Sequence, residues 1–199
     1  YLKDLIPFIG PPLDDSFQEF YGFSKEDAEK AVEYYREYFA PKGIFENEVY
    51  PGIPEMLNRL VEAGFTLIVA TSKPSVFAKQ ILDYFGLSDY FSFVGGSELD
   101  GTRKKKEEVI DYILKICEIK PKEAIMIGDR RHDVEGAKFC GLESVGVLYG
   151  YGSEKELSNA GADHIIKDVR MLEEYLRKQG ENTENLTWYD RLKGRTGGE

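Results

Sequence analysis

The sequence predicts an α/β protein in which a Rossmann-like parallel sheet carries a small α-helical cap. Three observations predict this. From Tyr50 onward, short apolar runs alternate with helical stretches, as in a parallel sheet covered on both faces. Those runs are continuous in hydrophobicity rather than alternating, which marks strands buried on both sides. Before Tyr50 the only periodicity is helical.

Residues 1–50 form the expected cap. Ile9-Gly10-Pro11-Pro12-Leu13 stops one segment and starts the next, and Leu13, Phe17, Phe20 and Tyr21 then fall at helical spacing. Ser24 reads as an N-cap with Asp27 in the first turn, followed by an apolar stripe of Ala28, Ala31, Val32, Tyr35 and Phe39 that stops before Pro41. A hairpin of two such helices is too small to be stable alone and should lean on the remainder.

Residues 51–178 form the expected core. Helices are predicted over 54–64, 75–85, 104–117, 134–139, 154–160 and 171–178, and strands over 65–70, 90–94, 124–127, 144–148 and 164–166. Residues 179–199 read as a polar tail, with Trp188 and Tyr189 as an anchor to the body.

The formal net charge of −10 gives the chain no means of holding a nucleic-acid backbone. It also attracts no phosphorylated ligand from a distance, so any anion site has to be built locally. No apolar run approaches the ~18 residues of a membrane span. Cys117 and Cys140 sit in apolar stretches without metal-ligand spacing and are expected to be buried free thiols in a reducing cytoplasm. A monomer and a homodimer both fit.

Chemistry concentrates where strands end, which is where open parallel sheets bind ligands. In Ile125-Met126-Ile127-Gly128-Asp129-Arg130-Arg131-His132-Asp133 a strand runs into a glycine and two aspartates. Asp129 and Asp133 lie one helical turn apart on one side, an arrangement suited to Mg²⁺, which takes one or two carboxylates plus water and phosphate oxygens. The competing reading is that one of them caps the next helix. Thr71 and Ser72 follow the apolar run Leu67-Ile68-Val69-Ala70, either as an anion site of hydroxyls and helix N–H groups or as N-caps. Lys104, Lys105 and Lys106 open a helix, where cations oppose the dipole; one of them has an anion to neutralise, or they form a solvated basic face.

In this order, Thr71, Lys106, Gly128, Asp129 and Asp133 resemble the haloacid dehalogenase superfamily of phosphohydrolases. Ile9 to Leu13, Val49-Tyr50-Pro51-Gly52 and Gly96 to Arg103 are similar to its phosphoglycolate phosphatase-like branch with a small helical cap. The resemblance implies an Mg²⁺-dependent phosphatase acting on a small phosphorylated metabolite, phosphoglycolate-type or a nucleoside monophosphate, through an aspartyl-phosphate. It implies that Asp129 and Asp133 hold the metal and that Thr71, Ser72 and Lys106 bind the phosphoryl group. Gly10, Pro11 and Leu13 are then cap positions facing substrate. Arg36 either pairs with an anionic leaving group or makes a surface salt bridge, and His132 either supports the site residues from behind or is structural, and is not a ligand. A non-catalytic relative, a phosphomutase resembling β-phosphoglucomutase and a dehalogenase are the alternatives, the last disfavoured by the acidic pair.

The family's first motif, a strand followed by Asp-x-Asp-Gly-Thr, supplies the nucleophile and is not in the chain. Glu98-Leu99-Asp100-Gly101-Thr102 mimics it but is read as the loop that delivers Lys106. The absent strand belongs in the middle of the sheet, so its loss should leave two unpaired edges. The expectation is therefore an N-terminal extension, upstream of Tyr1, that carries it.

Overall fold

The computed structural model of the chain describes residues 2–182. A 3-10 turn at Leu2–Phe8 leads into helices α1 (Leu13–Tyr21) and α2 (Lys25–Phe39), which pack as a hairpin. Ser24 caps α2, its hydroxyl accepting the Asp27 N–H at 3.1 Å. Phe8, Phe17, Tyr21 and Phe23 pack ring on ring where the 3-10 turn meets α1, with Tyr21 and Phe23 exposed. Gly22 closes α1 in the left-handed region, where no Cβ penalty applies.

The remainder alternates helices and strands: α3 (Ile53–Glu62), β1 (Ile68–Pro74), α4 (Ser75–Tyr84), β2 (Phe93–Ser97), α5 (Lys106–Ile116), β3 (Ile125–Gly128), α6 (Arg131–Cys140), β4 (Glu143–Val147), α7 (Glu154–Ala160), β5 (His164–Ile166) and α8 (Val169–Asn182). All strand pairings are parallel, as expected of this pattern. The sheet, however, is in two pieces, β1–β2 and β3–β4–β5. Among the described residues β1 pairs only with β2, and β3 only with β4.

The two pieces nevertheless share their cover. On one face Ile110 of α5 and Ala137 of α6 pack with Met126 of β3, and Ala70 of β1 joins them. On the other, Leu57 and Leu60 of α3 and Leu172 and Leu176 of α8 pack with Val145, and Leu67, Ile125 and Ile127 lie against that cluster. Burying such side chains stabilises by about 1.5–3 kcal/mol each, so the helices clamp the two sheets as one body.

Several expected boundaries move. The strand expected at 65–70 starts at Ile68, because Gly64 turns left-handed and the Phe65 N–H still closes on Leu60 of α3. The strand expected at 90–94 becomes Phe93–Ser97, because residues 88–90 form a 3-10 turn. α6 begins three residues earlier than residue 134, at Arg131, and α8 runs past Lys178 to Asn182. Cys117 and Cys140 are half-buried rather than buried, and the Cys140 thiol donates to the Glu107 carbonyl at 3.4 Å. Trp188 and Tyr189 lie outside the described residues. Among the described residues no helix is long and apolar enough to cross a membrane.

Candidate active site

The last residues of β1 are Thr71, Ser72, Lys73 and Pro74. The Thr71 hydroxyl accepts the Lys73 N–H at 3.1 Å, and the Ser72 carbonyl accepts the Ser97 hydroxyl at 2.8 Å. The N-cap of α4 is Pro74, with no side-chain cap bond, so neither Thr71 nor Ser72 is a helix cap.

At the end of β3 the two readings of the aspartates divide between them. Asp133 does cap: one carboxylate oxygen accepts the Arg130 N–H at 3.1 Å at the start of α6. Its other oxygen lies 2.9 Å from Lys106 Nζ, with both side chains largely buried. Asp129 does not cap; its carboxylate accepts the Tyr151 N–H at 2.7 Å.

Lys106 is the first residue of α5 and reaches across the interior, donating also to the Ala70 carbonyl at 2.9 Å. It thereby ties the end of β1 to α6. Lys104 instead pairs with Asp14 of α1, fastening cap to core, while Lys105 is the exposed N-cap of α5.

Close approach makes glycines necessary here. A Cβ on Gly128 would collide with the Asp133 side chain, and Cβ atoms on Gly150 and Gly152 would collide with Asp129. The Gly150-Tyr151-Gly152 loop after β4 therefore wraps Asp129 and orients it through a backbone N–H. Sequence reasoning missed this loop; two glycines just after an apolar strand were the available signal.

It also missed Arg130, whose guanidinium bonds the carbonyls of Ile6 and Ile9 and pairs with Glu156 at 2.9 Å. Gly10, at φ 115°, has Arg130 and His132 against it, so a side chain there would be both strained and crowded. His132 is half-buried, and burial, then Arg131, pull its pKa down. Tyr149 is pushed up to about 12 by burial and then by Asp129, so it stays protonated beside that carboxylate.

One cavity of about 400 Å³ collects every residue expected at the site: Thr71, Ser72, Lys106, Asp129 and Asp133 from the strand ends, and Gly10, Pro11, Leu13 and Arg36 from the cap side. A second cavity of about 450 Å³, beside Tyr50, Arg59, Tyr149 and Glu173, contains none of them. Arg36 departs from the surface salt bridge expected as one of its two roles: it donates to the Leu99 carbonyl at 3.0 Å. Residues 98–102 are a tight turn in which Asp100 accepts the Thr102 N–H at 2.9 Å, so that carboxylate is committed to holding its own loop.

Among the described residues no group of three or more His, Cys, Asp or Glu side chains gathers. Asp129 and Asp133, at the end of β3, would be the donors for a hard cation, with the remaining oxygens to come from water and substrate. That donor set fits Mg²⁺, which keeps several waters and rarely takes an all-protein cage.

The profile of the haloacid dehalogenase-like hydrolase family matches residues 2–147. The chain belongs to this family. Over 175 residues it is 47% identical to a 5'-nucleotidase of Pseudomonas aeruginosa, covering 88% of this chain and 79% of that one. It is 30% identical over 164 residues to a phosphoglycolate phosphatase of Vibrio parahaemolyticus, covering 82% and 72%. The crystal structure of a predicted phosphatase from Clostridium acetobutylicum superposes with a TM-score of 0.88 at 50% identity, covering 89% of this chain and 82% of that one. The expected superfamily, the α/β fold and the phosphatase class are borne out. The haloacid dehalogenase-like fold also accounts for the location of the cavity, at the carboxyl ends of parallel strands and beneath a helical hairpin.

Proposed function

We propose that this chain carries the phosphate- and metal-binding residues of an Mg²⁺-dependent phosphatase that hydrolyses a small phosphate monoester, phosphoglycolate-type or a nucleoside monophosphate, in the cytoplasm. The observation that carries the reading is the convergence of Thr71, Lys106, Asp129 and Asp133 on one cavity at the ends of β1 and β3.

In phosphoryl transfer, positioning and charge neutralisation do most of the work. The Thr71 hydroxyl and the Ser72 N–H hydrogen-bond the phosphoryl oxygens. Lys106 neutralises charge on them; the Asp133 carboxylate and the Ala70 carbonyl keep its ammonium aimed before substrate arrives. Asp129, oriented by the Tyr151 N–H, would hold Mg²⁺ directly, and Asp133 would hold it directly or through water. When bound, Mg²⁺ shields the phosphate from an attacking anion. Gly10, Pro11, Leu13 and Arg36 form the wall that faces the leaving group and keeps water out.

The nucleophile in this reading is an aspartate on a further strand lying between β1 and β3, and the intermediate is an aspartyl-phosphate. The facing edges of those strands, unpaired among the described residues, support that position. The test is phosphate release from p-nitrophenyl phosphate by the natural protein. Activity that is lost on chelation and restored by Mg²⁺ is expected; activity indifferent to chelator contradicts the metal assignment.

A further inference from the structure

The cap side of the active-site cavity begins with a turn that is gripped from the core. The Ile9 N–H donates to the Ile6 carbonyl at 3.0 Å, and Gly10 and Pro11, which line the cavity, follow directly. The carbonyls of both Ile6 and Ile9 accept from one group, the Arg130 guanidinium, the former at 3.2 Å. Gly10 then rests on the stem of the same side chain: a Cβ there would stand 3.2 Å from Arg130 Cγ. Lys104 and Arg36 also tie cap to core, but through Asp14 and the Leu99 carbonyl, so neither of those contacts sets this turn.

Arg130 is itself immobilised by the core. Its N–H donates to the Asp133 carboxylate at 3.1 Å, and its carbonyl accepts the Asp133 N–H at 3.0 Å. Its Nε donates to Glu156 at 2.9 Å, and the same Glu156 oxygen accepts the Arg131 N–H at 3.0 Å. Glu156 lies in the first turn of α7, its own N–H donating to the Ser153 hydroxyl at 3.1 Å. The Arg130 side chain is only 11% exposed. A planar guanidinium presents its donors in a fixed fork, so the Nε bond to α7 dictates where Nη1 meets the cap turn. The turn therefore takes its place from the arginine, through charge-assisted bonds to two of its carbonyls.

We propose that Arg130 is a positioning residue: its guanidinium sets where the Ile9-Gly10-Pro11 segment stands over the cavity, and so how closely that wall fits the leaving group of a bound phosphate ester. This rests on the phosphatase reading above and adds to it the group that fixes the wall. Arg130 acts through the Ile6 and Ile9 carbonyls, not by contact with substrate.

The test compares the natural protein with Arg130→Lys, which keeps a cation for Glu156 but loses the fork. Hydrogen exchange followed by mass spectrometry reads the turn itself. Residues 5–13 are expected to exchange about tenfold faster in R130K, the scale of one charge-assisted contact, with α3 and α5 unchanged. Steady-state kinetics reads the consequence. The ratio of kcat/KM for p-nitrophenyl phosphate to that for acetyl phosphate, whose leaving group is much smaller, is expected to fall about tenfold, chiefly through the KM of the larger ester. Unchanged exchange over residues 5–13 overturns the proposal whatever the activity. A kinetic loss equal for both substrates, or exchange that rises throughout the chain, overturns it as well, because Arg130 then serves the phosphoryl group or the fold. If R130K fails to fold, Gly10→Ala carries the same two readouts with Arg130 intact, since the added Cβ pushes the turn off the arginine; unchanged exchange and an unchanged ratio there overturn the proposal. Absence of any Mg²⁺-dependent hydrolysis in the unmutated protein, with faster exchange over residues 5–13 in R130K, instead defeats the phosphatase reading and leaves the cap contact standing.

Discussion

The side chain on which most of the site depends is Lys106. Its ammonium has two protein partners, Asp133 and the Ala70 carbonyl, and both hold it toward the cavity. Removing it leaves the Asp133 charge buried without a counter-ion and the phosphoryl oxygens without their cation. Lys106→Ala is therefore expected to lower kcat by about 10²–10³-fold, the scale seen when one preorganised charge-stabilising donor is lost; steady-state kinetics with p-nitrophenyl phosphate reads this, and an unchanged kcat contradicts the role. Gly128 makes a separate point at the same scale. Any Cβ there meets Asp133, so Gly128→Ala should destabilise the fold by about 1–3 kcal/mol, the cost of overpacking, measured as a shift of the urea midpoint. The Gly-Asp step after an apolar strand marked the aspartates in the sequence but left metal binding and helix capping both open, and Asp133 does cap. Their supports were not legible: the Tyr151 N–H and the Arg130 contacts to Ile6 and Ile9 come from loops far away in the chain, which no local pattern encodes.

Strand existence was readable in the elements, and strand ends were not. The Ile68–Pro74 strand takes in Thr71, Ser72 and Lys73 because β2 pairs with it out to Pro74 and Ser97, across a register shift after Ala70. Tertiary pairing thus carried the strand past residue 70, through the Thr71 and Ser72 that the sequence reads as an anion site or as N-caps. The three-stranded sheet has its own polar pin. Asp163, just before β5, accepts the Ser144 N–H at 2.8 Å and the Ser144 hydroxyl at 2.7 Å, and those bonds hold its carboxyl below the usual carboxylate range. A depressed carboxyl contributes stability that is present above its unfolded pKa, about 3.9, and is lost as pH falls through the lower folded value. Asp163 is exposed, so the effect is screened and small. Ser144→Ala should cost about 1 kcal/mol at neutral pH from the lost hydroxyl bond, and should lose less stability than the unmutated chain when both are taken below about pH 4. Urea melts at both pH values decide it; identical acid losses in the two proteins count against the pin.

For the whole molecule, the alternation of helices and apolar strands was enough to predict parallel layers. The unpaired strand edges were expected from the family resemblance, whose first strand belongs in the middle of the sheet, and not from that alternation. β1 and β3 each pair on one side only among the described residues, while α5 and α6 bridge them through Ile110, Ala70, Met126 and Ala137. That bridge keeps Thr71 and Lys106 on one side of the cavity in register with Asp129 and Asp133 on the other. The same bridge predicts that the site depends on both halves at once, so that a change confined to one carboxylate disables the whole. The most direct test is Mg²⁺-dependent hydrolysis of p-nitrophenyl phosphate by the natural protein and its Asp129→Asn variant, compared at equal folded concentration. The account predicts hydrolysis in the first and none above background in the second at any Mg²⁺ concentration; an Asp129→Asn protein that turns over at the unmutated rate would contradict it.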